Sequence, residues 1–150
     1  MPMITCDFSQ SFKYMLQMKK LEKDIHDFIE DILIDKAADF VDAVKERTPV
    51  DTETLKKAWA YGVELVTAGP RQNVPPVYSY THISKDGDTY SINIINGMFY
   101  ASFVEFGTPQ VHTPGRLMNT KTVEEFRGRL PRVISMRIAS FLRMGGTFGG

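Results

Sequence analysis

Cysteine is nearly missing from this 150-residue chain. Cys6 stands alone, so no intrachain disulfide can form and no oxidising compartment is implied. A surplus of charge is missing as well. Eighteen basic side chains balance eighteen acidic ones. That argues against a general nucleic-acid binder, which carries a basic excess. No window approaches the roughly 18 consecutive apolar residues of a membrane span. The N-terminus, M-P-M-I-T-C-D, has no basic stretch followed by an apolar run, so the sequence predicts no signal peptide. Glycine and proline are absent between Met3 and Thr48, which leaves that stretch free to be helical. No internal repeat is visible.

What is present is an ordinary globular composition, 43% hydrophobic and 24% charged. The length predicts one domain over residues 1–150. A chain of this size buries about 70% of its unfolded surface and needs no metal or disulfide to hold a core. The balanced charge is unevenly spread. Residues 22–46 hold nine acids and three lysines, whereas residues 111–150 hold seven basic residues and two acids. Two readings compete: solvated helix faces neutralised within one fold, or complementary faces on neighbouring copies.

Apolar residues at Leu21, Ile25, Phe28, Ile29, Ile32, Leu33, Ala37, Phe40, Val41 and Val44 follow i, i+3, i+4 spacing. They predict a long helix over 21–47, with aspartates largely between them. Thr48 precedes Pro49 and is pushed out of the α region, which stops the helix. Upstream, Phe8, Phe12, Met15 and Leu16 form a stripe on nearly the opposite side, so a break is expected near residues 17–20. A helix over 21–47 is about 40 Å long, against a radius of gyration near 15 Å for a compact chain of this length. Either it crosses a sheet, or part of its apolar surface meets another subunit.

Asp51 is placed to cap a short helix over 51–60, with Leu55 and Trp59 on one face. Residues 61–66 read as a strand and the Pro-rich stretch 68–76 as a loop. Residues 77–84 and 88–95 alternate and predict a hairpin around Lys85-Asp86-Gly87. Residues 100–106 are short and apolar, interrupted by Glu105, and 107–115 form a loop. A last helical region spans about 119–143. Thr122 and Glu125 have capping-box spacing there, and Pro131 is expected to kink the helix or start a new one. The tail 144–150 reads as flexible. The fold class is therefore α+β, with a long N-terminal helix and a C-terminal helix packed on a small antiparallel sheet over 61–96.

The chain offers little chemistry. His26, His82 and His112 are far apart and share no metal-ligand spacing with one another or with Cys6. No G-x-S-x-G or H-E-x-x-H occurs. Cys6 lacks a basic neighbour that would activate it. The acids of the long helix have no loop to fold oxygens around a cation. No catalytic residue, cofactor site or metal site is assigned. Methionines are numerous, which suits either core filling or adaptable interfaces.

Two segments carry more information. They are R-T-P-V-D-T-E-T-L-K-K-A-W at 47–59 and N-G-M-F-Y-A-S-F-V-E-F-G-T at 96–108. In this order, after a long helix and around a small sheet, they resemble the tail-completion (head–tail joining) proteins of tailed bacteriophages. That family reads T-P-V-D-T-G-x-L, then strands, then Y-A-x-x-V-E-F-G-T, then a C-terminal helix. Here Glu53 replaces the usual glycine, Ala58 replaces the usual serine, and the loop at 69–76 is longer.

The resemblance implies a structural virion protein of the neck, without catalysis or cofactor. It implies a homo-oligomeric ring, usually sixfold, that ends the tail tube and meets the head-completion or connector protein. DNA passes through the lumen without specific binding, no membrane is involved, and the place is the virion, with the host cytoplasm during assembly. A lumen for DNA should avoid a strongly basic lining, which would hold the phosphates. The residues taken as motif or possible interface are Arg47, Thr48, Pro49, Asp51, Trp59, Tyr100, Glu105, Phe106, Gly107 and Thr108, with Arg116 added as a possible charge partner. Pro49 and Asp51 also suit plain corner-making, and Trp59 suits a core. Glu105, among apolar neighbours, is expected to pair with Arg47 or Arg116. Gly107 is expected to take a backbone shape that other residues resist. Other neck components remain in contention, as does a small ligand-binding protein or enzyme with a pocket between sheet and helices.

Overall fold

The computed structural model describes residues 3–7, 22–49, 53–108, 110 and 113–144. The stripe at 8–16, the break near 17–20, Asp51, His112 and the tail beyond Met144 lie outside them.

Helix α1 (Glu22–Arg47) is the predicted long helix, 26 residues and about 39 Å. From Ile25 to Val44, every apolar position of the predicted stripe is buried. Asp27, Asp31, Asp35, Asp39 and Asp42 are exposed. The stripe is covered by the chain's own sheet and C-terminal helix, so the sheet-crossing reading accounts for its length. The helix stops at Arg47, where the Thr48 N–H turns back to the Lys45 carbonyl at 3.1 Å, ahead of Pro49.

Strand β6 (Thr89–Asn96) organises the sheet. It pairs antiparallel with β1 (Met3–Asp7), β2 (Trp59–Tyr61) and β5 (Ser84–Asp86). Its alternation places Tyr90, Ile92 and Ile94 against α1, within the main core. Ile95 is buried outside that cluster, near a second small sheet of β3 (Val63–Thr67) and β4 (Val77–Tyr80).

Three expectations are corrected here. Helix α2 (Glu53–Lys57) ends before Trp59, because Asn96 Nδ2 donates to the Leu55 carbonyl at 2.8 Å and Trp59 pairs with Asn96 in the sheet. The predicted hairpin is shorter: β5 and β6 turn at Gly87-Asp88, while residues 77–80 pair with β3 instead. The sheet extends beyond the expected 61–96 to include β1, a five-residue edge strand that gains its identity only from β6.

Helix α3 (Ala101–Phe106) leads into the short pair β7 (Gly107–Thr108) and β8 (Thr113–Pro114). Helix α4 (Met118–Arg143) then packs antiparallel to α1. Phe28 stacks on Phe141 with ring centroids 4.2 Å apart, and Phe40 meets Phe126 edge-on at 5.2 Å. Pro131 lies inside α4 without ending it. The N–H it lacks would have met the Arg127 carbonyl, and both residues are exposed, so water can serve that group. The fold is α+β, as expected: two long helices flank a small antiparallel sheet.

Candidate interaction surface

The two informative segments meet at the N-terminal end of α4. Arg47, at the end of α1, reaches across to α4. Its guanidinium donates to Thr122 Oγ1 at 2.9 Å and to Glu125 Oε2 at 2.5 Å. Thr122 is therefore not a cap. It lies inside the helix, fully buried, with its hydroxyl donating to the Met118 carbonyl. The predicted capping box is replaced by this contact between helices. Thr48 is buried at 3% exposure; its hydroxyl donates to the Val44 carbonyl and accepts the Trp59 indole N–H at 2.9 Å. Arg47, Thr48 and Trp59 thus form a structural corner, and Trp59 is core.

The cap of α4 comes from elsewhere. Glu105, 5% exposed on α3, accepts the backbone N–H groups of Asn119 and Thr120, each at 2.8 Å, and the Thr120 hydroxyl at 2.6 Å. A helix start leaves such N–H groups open, and its dipole favours a carboxylate. This corrects the expected arginine pairing. The helix N-terminus satisfies the buried charge, while Arg47 is taken by Glu125. The Arg116 backbone N–H donates to the Val104 carbonyl of α3 at 2.8 Å. The Leu117 N–H donates to the Glu105 carbonyl at 3.0 Å and holds Leu117 in a left-handed conformation with φ 51°.

Glycine is required at two places in this joint. Gly107 has φ 85°, as expected of a residue that must turn the chain out of α3. Gly115 packs against the backbone of Glu105 and Phe106, where a Cβ would lie 2.4 Å from the Glu105 carbonyl oxygen.

With α3 fixed this way, its outer side and the turn before it carry exposed aromatics. Phe99 is 53% exposed, Phe103 54% and Phe106 72%. Beside them opens a groove of about 710 Å³. Pro49, Tyr100, Thr108 and Arg116 line it, so marked residues from both segments converge there. Phe103 and Arg71 also line it, and the sequence reading singled out neither. A signal for Phe103 existed, since apolar residues spaced by three and four on a six-residue helix must leave some side chains outside. Arg71 gave none, because its loop is set beside α3 by contacts with distant residues: Gly69 N–H to the Gly97 carbonyl and Phe99 N–H to the Gly69 carbonyl.

Tyr90 is buried, and its hydroxyl shares a hydrogen bond with His26 Nδ1, tying α1 to β6. Burial, then the charges of Glu30 and Asp88, push its phenol up to about 12. Arg47 holds the Glu125 carboxyl below its ordinary value, with help from Arg129. His82 is exposed on the segment between β4 and β5. Among the described residues no group of three or more His, Cys, Asp or Glu side chains could hold a metal ion, and no helix is long and apolar enough to cross a membrane.

Comparison with curated proteins and with solved structures returned no significant match. Residues 13–107 match the sequence pattern of a family described as "Bacteriophage HK97-gp10, putative tail-component". The match takes in α1, the corner, the sheet apart from β1, and α3. With an architecture that agrees with the expected order of elements, it places the chain: this protein belongs to the HK97-gp10-like family of phage tail components.

Proposed function

We propose that this protein is a tail-completion protein of the phage neck. It forms a ring that ends the tail tube and presents a surface to the head-completion or connector protein. The role is structural and needs no catalytic group. DNA passes through the ring without specific contacts.

One observation carries this reading beyond family membership. Three phenylalanines between residues 99 and 106 are each more than half exposed, beside a groove lined by marked residues of both segments. Large apolar patches on a soluble chain mark interaction surfaces. Glu105 spends its charge on holding that surface in place rather than on chemistry.

Native mass spectrometry with negative-stain imaging tests the proposal, on the protein alone and on the protein added to tails. A closed sixfold ring is expected. A twelvefold ring would move the protein to the connector side of the joint. A chain that is monomeric in both samples would overturn the ring.

A further inference from the structure

The groove carries two arginines, and neither has an ionic partner among the described residues. Arg71 comes from the loop after β3 and Arg116 from the approach to α4. Apolar side chains, including Phe103 and Tyr100, line the same groove. A matching occupant would combine apolar and acidic side chains.

One surface of this chain has that character. The outer side of α1 bears Ile34, 41% exposed, with Asp27 and Asp31 on the same face at helical spacing and Asp35 next to it in sequence. Asp35 is engaged by Arg137 of the same chain. Asp27 and Asp31 have no ionic partner among the described residues. The basic helix α4 therefore neutralises only part of the acidic one.

We infer that the Arg71–Arg116 groove of one copy receives the acidic outer face of α1, centred on Ile34, from a second copy. This rests on the proposed ring. The two surfaces are different patches of one molecule, so the contact is head-to-tail, the kind that closes into a ring. The apolar centre supplies burial, and the paired charges fix register and exclude wrong pairings.

The test is a charge swap, carried out in whichever sample gives wild-type rings. One variant is R71E/R116E and the other is D27K/D31K. Each substitution lies on the surface, and circular dichroism checks that each variant folds. Each alone should assemble roughly tenfold more weakly or worse, because like charges then face each other. A one-to-one mixture should recover assembly, with the two variants alternating. One kind of junction is then wild type and the other is charge-swapped. Recovery in the mixture, with loss in each variant alone, is the expected result. Wild-type-like rings from either variant alone, or no recovery on mixing, would overturn this interface and leave the ring reading standing. Absence of wild-type rings in every sample would remove both.

Discussion

The Glu105 carboxylate caps a helix it does not belong to, accepting the Thr120 backbone N–H at 2.8 Å. This contact joins the E-F-G-T segment to the C-terminal helix, and so holds the exposed aromatics of α3 at a fixed angle. Replacing Glu105 by alanine leaves two helix N–H groups without their acceptor. A loss of about 1–3 kcal/mol is expected, read as a lower urea midpoint with unchanged slope. A variant that melts like wild type would refute the cap.

Thr48 makes a similar test at the corner. Thr48→Val keeps the shape but removes the acceptor for the Trp59 indole. A buried indole N–H left unpaired should cost about 1–3 kcal/mol. The unfolding can be followed by the fluorescence of Trp59, the chain's single tryptophan.

Gly115→Ala should be destabilising by about 1–3 kcal/mol, as overpacking is, because its Cβ would strike backbone that cannot move aside cheaply. Gly128→Ala is the control: a Cβ there meets nothing within 4 Å. On an exposed helix position it should leave stability equal or higher.

The pH dependence follows from two groups with opposite signs. The Glu125 carboxyl is held low by Arg47. Its contribution is present above the unfolded glutamate value and is lost as pH falls through the lower folded value. Glu125→Gln should therefore flatten the acid limb of the stability curve. The Tyr90 phenol is raised to about 12, chiefly by burial. Its contribution is present below the ordinary value of 10.0 and lost as pH rises toward 12. Tyr90→Phe should flatten the alkaline limb. Denaturant melts from pH 3 to 12 check both.

The exposed face of α3 separates assembly from folding. Phe103→Glu with Phe106→Glu should change stability by no more than about 0.5 kcal/mol, as surface changes do. The same pair should abolish ring formation or attachment to tails. Normal assembly by a correctly folded double variant would refute this surface.

The sequence by itself determined the long helix. Its stripe from Ile25 to Val44 has one face that can only go inward, and Pro49 supplies a local stop. It determined most of the run of β6, through alternation from Tyr90 to Ile94, and the left-handed turn at Gly107. It also carried the family, because corner-making and turn-making residues occur in a fixed order. These are properties of local periodicity and backbone sterics.

Only the tertiary structure decided which groups meet. Thr122 and Glu125 have the spacing of a local cap, yet both face Arg47 from 75 or more residues away. Glu105 reads as a charge in need of an arginine, yet the nearer solution is the open end of a helix, which no spacing rule reveals. Trp59 suits a short helix until Asn96 pairs with it across the sheet. Arg71 reaches the groove only when its loop is laid beside Phe99. Local sequence sets what each segment can form; hydrogen-bond satisfaction and burial between distant segments select the partner.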